Sequence, residues 1–500
     1  MDEKEKSTLS RRKFLGSTAA VAVAAIAADQ LLVPSELKAV RTPGKWDREA
    51  DVVVVGAGYA GLTAALEAFD AGSSVVLIEK APIVGGNSIT ANGFFNAVDP
   101  ELQKKQNIQD STDLFYKQTL ASGDYLGDPE KVKFMVENAM SGIQWLQKMG
   151  VEFVPKVFGT RGHAPANNGK GAAIVGALKA QVDKRKIPIL LEYKLTGVVR
   201  EKPLASAVQG VEVEHRGRKL YIKGKKAVVL ASGGFSANVQ MRSRYAPQLD
   251  AEIPTTNAPG ATGEAILAAE DEGADVVAMD YIETAFPCNY FTKKSGSVVS
   301  SGKDSAIFVN LNGERFMAED AKQADMNSAI LLQPKKVLLW IADDRCQKSS
   351  NDAMTADMLK QNLCFKADTL EELAKVLKEK LGVPTDKFLA SVKQYNEAAS
   401  KGEDKQFHKA AANLKPIEKA PFFASPAQIG AHQTLGGLRT KGSTAQVLDR
   451  EGKPIPRLYA AGEVSGGTHG DFRVGGNGTA AAIVFGRLSG KNAAAEKPLA

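Results

Sequence analysis

Cysteine is scarce in this chain. Its 500 residues contain three, Cys288, Cys346 and Cys364, far apart and without a C-x-x-C pair. That pattern argues against an iron–sulfur cluster, a C-x-x-C-H haem attachment and a disulfide framework. Any electrons used in redox chemistry must then arrive from a separate molecule. Clustered charge is missing too: the formal net charge is +7, but Lys and Arg are spread along the chain. This argues against nucleic-acid binding and leaves a mildly basic soluble protein, whose charge would suit an acidic redox partner. Repeats and low-complexity tracts are absent apart from an alanine-rich leader. The leader's apolar run, Ser17 to Ala28, is too short and too alanine-rich for a stable membrane span, so an integral membrane protein is not expected. No metal site is expected.

What is present is organised around Ala50 to Asn96. The run Asp51-Val52-Val53-Val54-Val55 predicts one buried strand, and Leu62 to Ala71 predicts a helix. Between them lies Gly56-Ala57-Gly58-Tyr59-Ala60-Gly61, and a second strand, Ser74 to Ile78, ends in Glu79. This is a β-α-β unit with G-x-G-x-x-G at its first turn. Gly56 permits the tight turn, Gly58 lets a pyrophosphate approach the backbone, and Gly61 lets helix pack closely on strand. The helix N-terminus, at Tyr59 and Ala60, offers N–H groups to the phosphates, and Glu79 can bind ribose hydroxyls. The strip Lys80 to Asn92 carries a second glycine pair, Gly85-Gly86, then Asn87-Ser88, with Gly93 just beyond. Small residues here leave room for an isoalloxazine ring, which points to FAD rather than NAD.

The pattern returns later in the chain. The strand Lys226 to Leu230 ends in Ala231-Ser232-Gly233, and Gly263 opens a helix through Glu272. Near the C-terminus, the strand Pro456 to Ala460 leads into Gly462-Glu463, then Arg473-Val474-Gly475-Gly476-Asn477 and a helix, Thr479 to Leu488, containing Ala480 and Ile483. All of these are expected to line the cofactor. A glycine-dense loop entering a helix can aim N–H groups at the flavin pyrimidine edge. Strand-like Val208 to His215 and Leu220 to Tyr221 predict a small β-meander. The charge-rich stretch Ser400 to Lys419 predicts solvated surface. The fold class expected is α/β: a discontinuous Rossmann-like FAD-binding domain over 46–280 and 432–500, with an α+β capping domain inserted at 281–431.

Residues 1–39 predict an address rather than fold. Ser10-Arg11-Arg12-Lys13-Phe14-Leu15 places twin arginines before the apolar run, the layout of a twin-arginine export signal to the periplasm. An N-terminal anchor helix is the alternative. Such export carries folded proteins, which suits a chain that must acquire its flavin in the cytoplasm.

The segments GAGYAGLTAALEA, EKAPIVGGNS, ASGGF, AHQTLGG and AGEVSGGTHGDFRVGGNG resemble the soluble fumarate reductases of the flavocytochrome c type, over about Asp47 to Lys491. In membrane-bound relatives a histidine near the Asn87-Ser88 region tethers FAD; none lies there, so the resemblance implies non-covalent FAD. It also implies hydride transfer from flavin N5 to an alkene conjugated to a carboxylate, with an arginine protonating the α-carbon. His432 and Arg473 match the family's carboxylate-binding histidine and arginine. The other half departs. An Ala-His-Pro motif for a second carboxylate becomes Ala285-Phe286-Pro287, neighbouring polar positions become Val298-Val299 and Gly302, and the proton-donating arginine aligns on Gln323. Gln is not a Brønsted acid, so Lys322 and Lys303, then Tyr281 and Tyr290, are the replacement donors considered.

One carboxylate subsite is thus kept while the other has become apolar, with Phe286 as a substrate wall. The expected substrate is an unsaturated monocarboxylate such as acrylate, methacrylate or an aryl-acrylate, with electrons from a separate c-type cytochrome. The alternatives are a fumarate or urocanate reductase and an enone oxidoreductase like the 3-ketosteroid dehydrogenases. A flavin-binding electron carrier without catalysis is a further one.

Overall fold

The computed structural model describes residues 43–202, 204–295, 306–345 and 352–499. The twin-arginine leader, Val298, Val299, Gly302, Lys303 and Cys346 lie outside the described residues, as does the side chain of Gln323. The α/β class expected from the sequence holds. Arg48–Val55 is the centre of a mixed eight-stranded sheet. It runs parallel to Val75–Glu79 on one side and Arg218–Leu230 on the other. Ile189–Leu191 and Pro454–Ala460 extend the two edges, again in parallel. Val52, Val53 and Val54 are wholly buried, Val52 and Val54 against helices on one face and Val53 against antiparallel strands and the helix Glu264–Glu270 on the other. The helix Tyr59–Asp70 packs against the C-terminal helix, Asn477–Ala495, at two glycines of the latter. A Cβ at Gly486 would sit 2.7 Å from the Ala60 carbonyl oxygen, and one at Gly490 would sit 2.4 Å from that of Ala64.

Two expectations need correction here. The short strands foreseen at Leu220–Tyr221 and Lys226–Leu230 are one strand, Arg218–Leu230. Its first half pairs antiparallel with Val208–His215 and is half exposed; its second half enters the buried centre. Polar Lys223, Lys225 and Lys226 interrupt the apolar pattern at the changeover, which hides the continuity. The stretch Ser400 to Lys419 is not simply solvated. Asp404 and Lys409 are buried, with Arg315 2.8 Å from both Glu319 and Asp404, and Lys409 3.2 Å from Glu319. Charges of both signs meet there, and each reduces the cost of burying its neighbour.

A second, five-stranded sheet is built from residues 282–434. Ile282–Asn289, Phe422–Thr434, Val337–Ala342 and Ala306–Val309 lie side by side in that order, all antiparallel, and Phe365–Ala367 also pairs with Phe422–Thr434. No helix among the described residues is long and apolar enough to cross a membrane.

Between the sheets runs a loop pinned by Arg242, which is 1% exposed. Its guanidinium donates to the carbonyls of Leu249, Ser236 and Asp250, each at 2.7 Å, and also to that of Ile253. The loop continues to Thr255, Thr256 and Asn257, which touch the strand carrying His432. Arg242→Ala would strand these buried carbonyls, and a loss of about 3–5 kcal/mol of unfolding free energy is expected in denaturant titrations.

Candidate active site

The glycine turn after the first strand forms one wall. Gly56 has φ +102°, and a Cβ there would lie 2.5 Å from the Ala231 carbonyl oxygen and 2.7 Å from the Ser232 Cα. The turn and the segment Ala231-Ser232 therefore touch backbone to backbone. A Cβ on Gly61 would lie 1.8 Å from the Gly56 oxygen, so helix and turn meet without space for any side chain. Glu79 accepts from the Ala57 and Ala81 amides at 2.9 Å each, fixing its carboxylate at the end of the second strand. The Tyr59 amide donates to Ser88 Oγ at 3.0 Å, and Asn87 Oδ1 accepts from the Ala258 amide at 2.7 Å. Lys80 is held by Glu264 at 2.8 Å and by Thr262. Gly86 (φ +47°) and Gly233 (φ +81°) each face open space where a Cβ would stand. These residues leave a cradle lined by backbone, closed below by Gly56 and Gly61, that fits an FAD diphosphate and ribose.

The remaining cofactor candidates play packing roles as well. Gly85 donates to the Ala57 carbonyl at 2.8 Å, while Gly93 abuts Lys170 and Gly263 abuts Met241 and Phe235. A Cβ on Gly462 would lie 3.0 Å from that of Ala60. Gly476 (φ +94°) presses on Asn96, whose amide donates to the Gly475 carbonyl at 2.7 Å and to Asn477 at 2.8 Å. Ala480 and Ile483 are fully buried in the helix-side core. The side chain of Tyr59 is buried there too, its hydroxyl without a hydrogen-bond partner.

The other wall carries charge. On the second sheet Ile282 pairs with Thr434 and Thr284 with Ala431. Glu283 therefore faces two residues, His432 and Gln433, across a bulge of the kind that re-aims side chains. Arg473 reaches this spot from the C-terminal loop: its Nε and Nη2 lie 3.2 and 3.1 Å from one oxygen of Glu283, with both side chains little exposed. A Cβ at Gly478 would lie 3.1 Å from Gln433 Oε1 and 3.4 Å from Arg473 Cδ, so both side chains meet over the start of the C-terminal helix. Thr256 Oγ1 lies 2.7 Å from His432 Nδ1. When that hydroxyl donates, the ring proton stays on Nε2, which can then donate to an anionic oxygen.

Burial pushes His432 below the usual imidazole range, Glu283 opposes this, and Arg473 reinforces it. Burial likewise pushes the Glu463 carboxyl up, against its bonds from the Thr434 amide and hydroxyl at 2.9 and 3.0 Å. His469 is buried with Nδ1 unpartnered, and burial, helped by Arg473 and Lys131, pushes it down to about 3. In the unfolded chain it would take a proton near its ordinary value of 6.5. Its contribution to stability is thus complete above that value and is lost as pH falls towards about 3. His469→Gln is expected to flatten the fall of unfolding free energy between about pH 6 and pH 4 by ~1.4 kcal/mol per pH unit, read from urea titrations.

The structure thus brings His432, Arg473 and Glu463 to one place. Phe286 stacks on Trp340 at 6.0 Å between ring centroids and meets Phe308 edge-on at 5.9 Å, partly buried against the core of the second sheet. Lys322 is exposed at the N-cap of the helix Gln323–Leu331. That helix is tied to the strand beside Glu283 by Asn327, which donates to Thr284 Oγ1 at 2.7 Å. Tyr281 precedes the same strand, its hydroxyl pushed up by burial, Asp280 and Asp471. Tyr290 lies at the strand's far end beneath Lys293, 4.3 Å from the ring centroid. Sequence reasoning missed Glu283, Thr256, His469 and the buried Lys131, which donates to Ser465 Oγ at 2.8 Å and the Gly466 carbonyl at 2.7 Å. A lone acid in an otherwise uncharged strand is the available signal for Glu283; nothing local marks Thr256.

A family model described as an FAD binding domain matches residues 51–479. The NADH:fumarate oxidoreductase of Klebsiella pneumoniae (strain 342) is 36% identical over 453 residues, covering 89% of this chain and 47% of that protein. This chain therefore spans about half the length of that relative. The acrylate reductase flavoprotein subunit of Shewanella woodyi (strain ATCC 51908 / MS32) is 31% identical over 512 residues, covering 97% of this chain and 98% of the other. Among solved structures, the open conformation of a flavocytochrome c3 fumarate reductase superposes with a TM-score of 0.80 at 30% identity, covering 90% of this chain and 78% of that one.

Proposed function

The chain belongs to the FAD-binding domain family, and from that premise we propose that it reduces the C=C bond of an α,β-unsaturated carboxylate, most readily a monocarboxylate. FAD is the cofactor. The glycine turn and the start of its helix would take the diphosphate, Glu79 the ribose, and the loop entering the C-terminal helix the pyrimidine edge. The strip Lys80 to Asn92 has no histidine, which supports a non-covalent flavin. Bound and reduced, the flavin supplies the hydride.

The protein's own part is to hold the acid and stabilise charge. The observation that carries the reading is the meeting of Arg473, His432 and Glu283 across the strand bulge. Arg473 offers a cationic fork to one carboxylate, and neutral His432, steadied by Thr256, can donate from Nε2. Both would stabilise the enolate-like charge that grows on the carboxylate as the alkene is reduced. Glu283 already occupies one side of the arginine, which disfavours a second negative charge in the same pocket.

Electrons would come from a c-type cytochrome in the periplasm. The scarcity of cysteine, the twin arginines and the near-complete overlap with a relative described as a subunit support this. A reductase of a neutral conjugated alkene is the second reading, favoured by the same Glu283–Arg473 pair because it cancels the cation within the pocket. Reduced viologen with a panel of enoates, diacids and neutral enones tests both readings. Acrylate-type monoacids are expected to turn over fastest, whereas faster turnover of neutral enones would transfer the assignment to the second reading.

A further inference from the structure

We propose that Glu283 is a specificity-determining residue, a built-in charge filter that admits one carboxylate to Arg473 and rejects dianions. This rests on the carboxylate-reductase reading above and deepens it. Three observations carry it. The bulge between Ile282–Asn289 and Phe422–Thr434 places Glu283 opposite His432 and Gln433 rather than in regular register. One oxygen of Glu283 lies within 3.2 Å of both Nε and Nη2 of Arg473. Both side chains are little exposed, at 13% for Arg473 and 11% for Glu283, so solvent screens the pair weakly.

The consequence follows from charge alone. With His432 and Glu463 both disfavoured in their charged forms by burial, Arg473 and Glu283 dominate the local balance and cancel. An entering monocarboxylate must share or displace Glu283 from one edge of the guanidinium, and it meets one repulsion. A dicarboxylate meets that repulsion with both of its charges. A negative side chain against the clamp thus discriminates more strongly as ligand charge rises, and it acts by repulsion rather than by a missing contact.

The test measures equilibrium binding of two saturated, unreactive acids, propionate and succinate, to oxidised holoenzyme through the change they cause in the flavin's visible spectrum. Glu283→Gln keeps the shape and removes the charge. The succinate-to-propionate affinity ratio is expected to rise at least about tenfold in this variant. The ratio of kcat/KM for fumarate over acrylate should rise in parallel. Glu283→Asp, which keeps the charge, should hold both ratios near those of the unaltered protein. Added salt should leave most of the difference between the unaltered protein and Glu283→Gln in place, because the pair is little exposed. Unchanged ratios in Glu283→Gln overturn the proposal, as does an equal fall in kcat for every acid at constant ratio, which would make the residue a proton donor instead. Binding of propionate without turnover of any enoate would sink the reductase reading while leaving the affinity ratio to judge the filter.

Discussion

Replacing Arg473 by alanine is expected to lower kcat/KM for the best unsaturated acid by on the order of 10³-fold. Two effects add. The substrate carboxylate loses a charge-assisted fork, and Glu283 is left with no counter-ion at the place where that carboxylate must sit. The second effect separates this arginine from an ordinary surface cation, whose removal would change little. Arg473→Lys keeps the charge without the planar fork and should recover only part of the loss. The double variant Arg473→Ala/Glu283→Gln removes the stranded carboxylate as well, and should regain about tenfold over Arg473→Ala alone, since neighbouring charges are not additive. Steady-state kinetics with a saturating electron donor read all three. A loss below about threefold in Arg473→Ala would take the residue out of the substrate clamp.

Gly61→Ala should abolish flavin retention. The new methyl would stand 1.8 Å from the Gly56 carbonyl oxygen and 2.9 Å from its carbon. These are backbone atoms of the turn itself, so no side chain can move aside. The turn would have to open, and the amides that face the diphosphate would move with it. Less than about a tenth of the protein is expected to carry flavin after purification, judged by visible absorbance per chain. Gly44→Ala, where a Cβ meets nothing within 4 Å, serves as the matched control. Circular dichroism of Gly61→Ala distinguishes loss of the cofactor from loss of the fold. Glu79→Gln provides a second variant: it weakens the ribose end and sets the new NH2 group against one of the two backbone N–H donors, of Ala57 or Ala81, that the carboxylate accepts from.

How much of this is legible in the sequence depends on whether the cause is local. The run Asp51 to Val55, the glycines behind it and Glu79 act within one β-α-β unit, and so their positions follow from spacing. The helices expected at Leu62 to Ala71 and Thr479 to Leu488 are found as Tyr59–Asp70 and Asn477–Ala495, each beginning where a glycine-bearing loop ends. The strand Phe422–Thr434 has no such signature. It is buried almost throughout, and its proline and glycine conceal a pattern that only its neighbours complete. The link between Glu283 and Arg473 spans 190 positions in the chain. It exists only because a strand register slips at His432, which no local pattern encodes. The surroundings of Phe286 are non-local in the same way. Its apolar character is plain, but the ring's partners, Trp340 and Phe308, come from strands paired elsewhere in the sheet.

The most direct measurement is a single turnover. Protein carrying fully reduced flavin is mixed without oxygen with one equivalent of acrylate, fumarate or a neutral styrene, and both flavin reoxidation and the product are followed. Reoxidation at least about tenfold faster with acrylate than with fumarate or styrene, with propionate formed in equal amount to the flavin oxidised, is the predicted result. Equal rates for acrylate and fumarate, or flavin that stays reduced in the presence of every acid, would contradict it.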